Sequence, residues 1–329
     1  MIRRLDFTGP DMAAYAAVRA AADANDRPDR PPIPAERLAA LLAHPQPGKT
    51  TEYWGWFEGE ELAGAALLFL PGEDNTHTVE LEGQVAPAFR RRGIGRALFE
   101  LTRERAQALG RTLILVNVLA PAPGSPLVRD RAGEAFCAAM DMEVALVDIR
   151  SELTVGPVDE PVDDGRLVRW VDGVPGDPPA EWLPELARLM TRLDADAPAG
   201  DLDVTPEVWT PERLLEAAAV SRETGTTAVH TALRDGDRLI GWSTIELTGG
   251  THAEQGITVV LPEHRGAGLG LLLKRANLSF ARRIWPALAT VTTFNAETNA
   301  AMLAVNRRMG YVDLDRMVHF QAKVGQAKV

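Results

Sequence analysis

The sequence predicts two tandem α/β domains of similar fold. The same order of predicted helices and strands occurs twice, and a stretch rich in Pro, Gly and Asp at residues 156–165 separates the two copies. Two glycine loops carry Arg90 and Arg265, which lie 175 residues apart. The same spacing relates further pairs: Gly93 and Gly268, Gly95 and Gly270, Pro87 and Pro262, Val85 and Val260, and His77 and His252. A fixed spacing of this kind indicates a duplication.

Hydrophobic periodicity predicts the elements of the first half. Its helices are predicted over residues 12–23, 35–43, 95–109 and 127–140. Its strands are predicted over residues 51–57, 62–70, 76–85, 112–118 and 144–153.

The second half repeats this order. Its helices are predicted over residues 180–193, 211–224, 268–283 and 298–309. Its strands are predicted over residues 166–171, 226–233, 239–247, 255–261, 289–294 and 311–320. The expected organisation is therefore a first domain over residues 1–155, a linker over 156–165 and a second domain over 166–329. Each domain is long enough to bury its own core.

The composition narrows the functional classes. The longest apolar run, residues 62–70, is too short to cross a bilayer. The net charge of −11 argues against nucleic acid as a partner and suits a cationic substrate such as an amine. We expect a cytoplasmic protein, because the N-terminal residues lack an apolar signal core and Cys137 is the single cysteine. The histidines and Cys137 do not have metal-ligand spacing, so no metal is expected.

Each glycine loop has the features of an anion site. Residues 85–95 and 260–270 each begin as a strand, are interrupted by proline, turn through glycines and continue into an apolar helix. Glycine lets the backbone turn so that successive N–H groups converge at the helix N-terminus, where negative charge is favoured. The pattern predicts a pyrophosphate site in each half.

Other interpretations of these loops fit less well. The glycines of one loop could serve only tight helix packing, but two copies in matching settings favour a shared ligand. A dinucleotide fold would need Gly-x-Gly-x-x-Gly, which both copies lack. A Walker loop would need Gly-Lys-Ser/Thr, which is also absent.

The motif Arg-x-x-Gly-x-Gly after a Val-x-Pro strand end resembles the acetyl-CoA loop of the GCN5-related N-acetyltransferases. The second half adds Asn295 to Asn299 and Asn306 to Tyr311, which look like a later segment of that family. In that segment an Asn begins a helix, and Gly-Phe/Tyr opens the next strand. The resemblance covers nearly the whole chain as a tandem pair and is strongest over residues 255–312.

The resemblance implies, for each domain, a mixed sheet flanked by helices and splayed between two parallel strands that hold the pantetheine of acetyl-CoA. In the first half it assigns cofactor contacts to Val85, Ala86, Pro87, Arg90, Arg91, Arg92, Gly93, Ile94, Gly95 and Arg96. In the second half it assigns them to Val260, Leu261, Arg265, Gly266, Ala267, Gly268, Leu269, Gly270, Leu271, Asn295, Asn299 and Asn306. A substrate amine would attack the thioester directly, without a covalent enzyme intermediate.

The chain also departs from the family pattern. The family often uses a Tyr, four residues before the Gly of Gly-Phe/Tyr, to protonate the leaving thiolate. In the second half that position is Asn306, which cannot act as an acid, and Tyr311 is the nearest phenol. In the first half it is Cys137, and Asp141 and Met142 replace the Gly-aromatic pair. We therefore expect the second half to be the catalytic one.

A general base has to accept a proton from the attacking amine. Glu254 lies roughly where the family often places a catalytic Glu, and Glu80 and Glu82 share one face of the matching strand in the first half. Each of the three could instead be a solvated carboxylate at a strand edge. The acidic residues within 194–203 either border the acceptor site or form a solvated loop.

The predicted function is acetyl transfer from acetyl-CoA to the amine of a small molecule, with Glu254 and Tyr311 as candidate catalytic residues. The alternatives are a non-catalytic acyl-CoA-binding or sensing protein and an acyltransferase that uses another acyl-CoA. We expect a monomer or homodimer with no nucleic-acid or membrane partner.

Overall fold

The structure of the protein is a computed structural model that describes residues 1–30, 32–125, 127, 129–157, 164–172 and 177–325. These residues form two compact units. Unit 1 comprises residues 1–147, 199–205 and those from 315 onward. Unit 2 comprises residues 148–198 and 206–314.

The strands of the described chain are β1 (Ile2–Arg4), β2 (Lys49–Glu58), β3 (Glu61–Pro71), β4 (Thr78–Val85), β5 (Leu113–Pro121), β6 (Glu143–Thr154), β7 (Leu167–Val171), β8 (Thr227–Asp235), β9 (Arg238–Gly249), β10 (His252–Val260), β11 (Thr290–Ala296) and β12 (Val312–Lys323). The helices are α1 (Asp11–Asp26), α2 (Ala35–Ala43), α3 (Ile94–Ala108), α4 (Ala132–Ala139), α5 (Leu183–Asp196), α6 (Pro211–Glu223), α7 (Leu269–Ile284) and α8 (Ala300–Met309).

Unit 1 is built on a mixed sheet with the strand order β1-β2-β3-β4-β5-β12. Strands β4 and β5 are parallel, and the other neighbours pair antiparallel. Its sixth strand comes from the end of the sequence, because residues 315–323 of β12 pair with β5.

Unit 2 has the matching order β7-β8-β9-β10-β11-β6, with β10 and β11 parallel. Its sixth strand comes from the first half of the sequence, because residues 148–154 of β6 pair with β11. Each unit therefore takes its last strand from the other half of the chain.

Helices cover both faces of each sheet. In β3, Leu67 packs in the cluster that contains Tyr15 of α1, whereas Leu68 packs in the cluster that contains Leu98 of α3. Burial on both faces explains why the predicted strand 62–70 is apolar throughout instead of alternating.

The same layering holds in unit 2. Ile245 of β9 packs in the cluster of Leu278 from α7, and Trp242 packs in the cluster of Leu189 from α5. Because alternate strand residues face opposite sides, α5 and α7 cover opposite faces of this sheet.

The predicted fold class, a mixed sheet flanked by helices in each of two similar domains, is confirmed, with three local differences. The short strand β1 was not predicted. The helix predicted over 127–140 begins only at Ala132, whose N–H is accepted by Asp130 Oδ1 at 2.9 Å. The exchange of last strands was also not predicted. The domain boundaries stay a prediction, and residues 158–163 of the expected linker lie outside the described residues. Among the helices that the structure describes, none combines the length and the apolar character needed to cross a membrane.

Candidate acyl-cofactor site

Each unit opens a gap between its two parallel strands. In unit 1 the parallel register covers residues 78–80 of β4 and 113–115 of β5. In unit 2 it covers residues 252–254 of β10 and 290–292 of β11. All four strands continue beyond this register, so the first gap (β4/β5) and the second gap (β10/β11) leave strand edges that an extended ligand can pair with.

One strand end at each gap directs an N–H group into it. Ala86 and Leu261 donate their N–H groups to the neighbouring antiparallel strand, at 2.9 and 3.0 Å respectively. Because N–H groups of successive strand residues point to opposite sides, those of Val85 and Val260 point toward the gaps. This geometry fits the predicted contact of both residues with a pantetheine amide.

The gaps lead to two loops, the first cradle (residues 87–96) and the second cradle (residues 262–271). Each opens with a short 3-10 turn, Pro87–Phe89 or Pro262–His264, and each ends in the first turn of a helix, α3 or α7. Neither helix has a side chain capping its N-terminal N–H groups. The free N–H groups and the helix dipole favour an anion at both cradles.

The glycines of the cradles adopt backbone angles that other residues avoid. Gly268 has φ +77° and Gly93 has φ +84°, both in the left-handed region, and a Cβ atom at either position would meet nothing within 4 Å. Conformation and not packing therefore requires glycine here. Gly266 is also left-handed, with φ +84°, and its counterpart in the first cradle is Arg91, with φ 64°. The second cradle is thus built from glycines where the first tolerates a strained arginine.

Arg90 braces the first cradle. Its Nε donates to the Val85 carbonyl at 3.1 Å, and its two terminal nitrogens bind the Asp26 carboxylate at 2.8 and 2.7 Å. Burial is the largest effect and raises the pKa of Asp26, but the hydrogen bonds from Arg90 and Asn25 and the charges of Arg90 and Arg27 together lower the pKa. Three of the five N–H donors of this guanidinium are therefore engaged by the protein itself.

Arg265 does the same in the second cradle. Its Nε donates to the Val260 carbonyl at 2.9 Å, and a terminal nitrogen pairs with Asp196. Asp26 and Asp196 are the last residues of α1 and α5, so the two braces are equivalent. Sequence reasoning predicted both arginines as cofactor contacts and missed their carboxylate partners.

Positive charge differs between the two cradles. Arg91, Arg92 and Arg96 are exposed at the first cradle. Residues 266–271 carry no charged side chain, so the second cradle would hold phosphate through backbone N–H groups. Both sets of residues fit a pyrophosphate group.

A β-bulge distinguishes the second gap. Gln255 pairs with Ile245 and Thr258 pairs with Ser243, so β10 advances by three residues where β9 advances by two. The register of β4 with β3 is continuous over residues 80–85. The Gln255 side chain fills the bulge, where its amide nitrogen donates to Ser243 Oγ at 3.1 Å. Gly256 fits there because a Cβ atom would lie 2.7 Å from Thr244 Oγ1.

Glu254 is half-buried and ends the parallel register, as Glu80 does in unit 1. Its cross-strand partner on β9 is Glu246, so two carboxylates lie opposite each other on the α5 face of the sheet. In unit 1, Glu80 pairs with Lys49 at 2.8 Å. Glu82 pairs with Arg19 at 2.6 Å, which supports the structural interpretation of that carboxylate.

A buried polar chain runs from α7 to β11. The Lys274 ammonium donates to Asn306 Oδ1 at 2.5 Å, and Asn306 Nδ2 donates to Asn295 Oδ1 at 2.6 Å. Lys274 is 1% exposed and Asn306 is 2% exposed. Burial lowers the pKa of Lys274 to about 7. Sequence reasoning singled out both asparagines but not Lys274.

Unit 1 holds apolar side chains at the matching positions. The 175-residue spacing maps Lys274 to Phe99, the later motif maps Asn306 to Cys137, and the parallel registers map Asn295 to Val118. These three counterparts pack in one apolar cluster. Burial raises the pKa of the Cys137 thiol to about 12, consistent with an inert core residue.

Tyr311 and Asn299 take defined places in unit 2. The Tyr311 ring lies 5.3 Å from the Lys274 ammonium, and burial raises the pKa of its phenol. Asn299 caps α8 by accepting the Met302 N–H at 3.2 Å, which occupies its side-chain oxygen.

The acidic segment 194–203 is held by local contacts. Asp194 accepts from Trp209 Nε1 at 3.1 Å, and Asp196 is the partner of Arg265. The Asp201 N–H binds the Ala145 carbonyl at 2.8 Å within unit 1. These contacts hold the segment locally, and its place beside an acceptor site stays a prediction.

Comparison with known proteins gives consistent matches. The family model described as Acetyltransferase (GNAT) family matches residues 17–124. A mycothiol acetyltransferase from Geodermatophilus obscurus is 30% identical over 320 residues, which cover 94% of this chain and 93% of the relative.

Two solved structures extend the comparison. A tandem GNAT protein from the clavulanic acid biosynthesis pathway, determined without AcCoA, matches with a TM-score of 0.83 and 28% identity over 100% of this chain and 99% of that chain. A GCN5-related N-acetyltransferase from Sphaerobacter thermophilus matches with a TM-score of 0.66 and 18% identity over 98% of this chain and 95% of that chain, a likeness of fold.

Proposed function

The chain belongs to the acetyltransferase (GNAT) family as a tandem member, and we propose that it transfers acetyl from acetyl-CoA to the amine of a small molecule, with the reaction in unit 2. The observation that carries this choice of unit is the contrast at equivalent positions. Unit 2 keeps the bulge, the paired carboxylates and the buried polar chain around its gap. Unit 1 has a continuous register between β3 and β4 and an apolar cluster at the matching positions.

Both cradles are proposed to bind the cofactor. The family match over residues 17–124 includes the first cradle, and its exposed arginines suit phosphate. When bound, acetyl-CoA supplies the thioester that the amine attacks. The second cradle would hold the pyrophosphate on the N–H groups of residues 266–271, and the Val260 N–H would pair with the pantetheine. Arg90 and Arg265 would act by fixing the cradles against Asp26 and Asp196.

Glu254 is the proposed general base. It lies where the parallel register ends and the gap begins, at the inner end of the gap that leads to the second cradle. Its cross-strand neighbour Glu246 adds a second carboxylate on this face of the sheet, and acidic groups attract a cationic guest. Tyr311 remains the proposed proton donor, although burial raises the pKa of its phenol and so makes it a weaker acid than an exposed tyrosine.

The proposed acceptor is a low-molecular-weight amine. One relative is a mycothiol acetyltransferase, and the tandem structural neighbour comes from clavulanic acid biosynthesis. Both names belong to small-molecule metabolism. The net charge of −11 also favours a cationic acceptor.

Matched substitutions of the two cradle glycines test which unit reacts. Gly268→Asp and Gly93→Asp each place a carboxylate where pyrophosphate should lie, and both positions are open in space. Gly268→Asp should abolish turnover, because like charge and a strained backbone both oppose binding. Gly93→Asp should remove at most one of two bound cofactors, counted by calorimetry with CoA. Loss of turnover with Gly93→Asp alone would assign the reaction to unit 1.

A panel of amines tests the reaction class. The protein is incubated with acetyl-CoA and each amine, and CoA thiol release is followed with a thiol reagent. Amine-dependent release supports N-acetylation. Tight cofactor binding without amine-dependent release from any member of a broad panel would favour the alternative, a non-catalytic acyl-CoA-binding protein.

A further inference from the structure

The buried chain Lys274–Asn306–Asn295 has a fixed direction. An ammonium carries three donors and no acceptor, so Lys274 can engage Asn306 only through the amide oxygen. Asn306 must then turn its NH2 group to Asn295, whose oxygen accepts it. The NH2 group of Asn295 is left as the donor at the end of the chain.

The end of the chain lies beside the second gap. Asn295 is three residues past Thr292, the last β11 residue in parallel register with β10. Val291 shares its strand face and packs in the cluster of Leu278 from α7, so the Asn295 side chain lies on the α7 side of the gap. A cofactor that runs from the gap to the second cradle, at the start of α7, passes this side.

We propose that Lys274 is a positioning residue whose ammonium holds the Asn295 amide with its N–H groups turned to an acceptor atom of the acyl cofactor. The inference deepens the proposed function, on which it rests, by adding a residue that acts through two others. Lys274 occupies a position at which the similar fold of unit 1 has a phenylalanine, Phe99.

The fold does not require this chain. The matching positions of unit 1 hold Phe99, Cys137 and Val118 in a core that is buried equally well. A buried lysine without a carboxylate partner costs free energy, whereas an apolar side chain of similar size stabilises the core. Within the described residues, the Lys274 ammonium donates to Asn306 and lies over the ring of Tyr311. Its retention is thus better explained by a ligand than by folding.

The charge of Lys274 sets the direction of the chain. A neutral amine has a lone pair, so it can also accept a hydrogen bond, and both amides become free to reverse. Because burial lowers the pKa of Lys274 to about 7, this change falls near neutral pH. Below pH 7 the chain points its donor at the cofactor, and above pH 7 it loses that preference.

Few titratable groups face Lys274. The phenol of Tyr311 is in contact with it, and Arg307 and Arg308 of α8 are exposed at the surface. The residues of β8, β9, β10 and β11 that face α7 are uncharged; Thr231, Gly241, Gln255 and Val291 represent the four strands. Burial is accordingly the cause of the lowered pKa of Lys274.

The test measures CoA binding by calorimetry from pH 6 to pH 8 in the Gly93→Asp background, which leaves the second cradle as the site studied. The fraction of charged Lys274 falls about tenfold over this range if its pKa is about 7. The CoA affinity of the protein that keeps Lys274 should therefore fall up to about tenfold from pH 6 to pH 8, beyond any change that Lys274→Met shows over the same range. Lys274→Met should bind weakly at both pH values.

Two further variants separate direction from structure. Asn306→Asp keeps an acceptor for Lys274 and pairs its charge, but a carboxylate cannot donate to Asn295. It should fold at least as stably and yet bind CoA as weakly as Lys274→Met. Phe99→Met, the matched change in unit 1, should leave CoA binding at the second cradle unchanged. A ¹⁵N titration of the Lys274 ammonium gives its pKa directly and does not depend on binding.

The inference would be overturned if Lys274→Met bound CoA with the same affinity and pH dependence as the protein with Lys274. Full CoA binding by Asn306→Asp would also overturn it. Failure of the proposed function looks different. Lys274-dependent CoA binding with no acetyl transfer to any amine would remove the function and leave the role of Lys274 intact.

Discussion

Replacing Lys274 with methionine should stabilise the protein at pH 6 and destabilise it at pH 10. Burial lowers the pKa of Lys274 from 10.5 to about 7, and one unit of pKa corresponds to about 1.36 kcal/mol. The charged side chain therefore costs the folded state about 5 kcal/mol at pH 6. Methionine is of similar length and carries no charge, so it removes this cost.

The substitution also has a cost of its own. Asn306 Oδ1 loses its donor and is left buried, which costs about 1–3 kcal/mol. The net gain at pH 6 is then about 2–4 kcal/mol. At pH 10 the lysine is neutral in the folded state and largely charged only in the unfolded chain, so its remaining penalty is below about 1 kcal/mol. The lost hydrogen bond then dominates, and the variant becomes equal to or less stable than the parent protein.

The sign follows from proton binding. Between pH 7 and pH 10.5 the unfolded chain binds more protons at Lys274 than the folded protein does, so the contribution of this residue to stability rises with pH. Urea unfolding followed by tryptophan fluorescence at pH 6, 8 and 10 measures this slope. Phe99→Met is the control, because it changes core packing without changing titration. A Lys274→Met variant whose stability relative to the parent does not change with pH would refute the reasoning.

Glu254→Gln should lower kcat by about 100-fold or more, because the proposed general base is lost. Glu80→Gln should leave kcat nearly unchanged, because the Glu80 carboxylate lies in unit 1 and pairs with Lys49. Initial rates at saturating acetyl-CoA and amine separate the two, and equal effects would remove Glu254 from the mechanism. Arg91→Gly should raise the free energy of unfolding by about 1 kcal/mol, because Arg91 holds φ 64° where glycine is unstrained. The reverse change at the matched position, Gly266→Arg, should lower it by about 1–2 kcal/mol, and thermal melts of the two variants that shift in the same direction would contradict this account.

Periodicity predicts most of the fold because the strands and helices are long and regular. It cannot predict which sheet edge a strand joins. Strands β6 and β12 each follow the last helix of their own half in the sequence, yet each pairs in the sheet of the other half. The predicted helix 127–140 was too long for a different reason, since Asp130 accepts the Ala132 N–H and sets the start of α4. Local hydrogen bonds of this kind are not visible as periodicity.

The cradles were predicted in place, but the roles of their arginines could not be derived from sequence. Arg90 and Arg265 look like phosphate ligands when the loops are read alone. Their partners, Asp26 and Asp196, come from helices 64 and 69 residues earlier in the chain. Only the folded chain brings the strand end, the helix end and the guanidinium together.

Lys274 was missed because a lysine in an amphipathic helix is usually exposed. A signal was present, however: it follows Leu271 and Leu273 and precedes Ala276, which are buried positions of α7. A lysine on the buried stripe of a helix needs a polar partner from another element. Asn306 and Asn295 supply it, and they were singled out for other reasons.

The two units show how one fold can carry or lose a site at little structural cost. Both keep the gap, the cradle and the carboxylate that braces the cradle arginine, since these belong to the backbone. What differs is a set of buried side chains, polar in one unit and apolar in the other. Because the apolar set stabilises the core more, drift under selection for folding alone leads from the polar set toward Phe99, Cys137 and Val118 and not back. A costly polar set in unit 2 is therefore better explained by binding or catalysis than by folding, and the stability gained by Lys274→Met measures the strength of that argument.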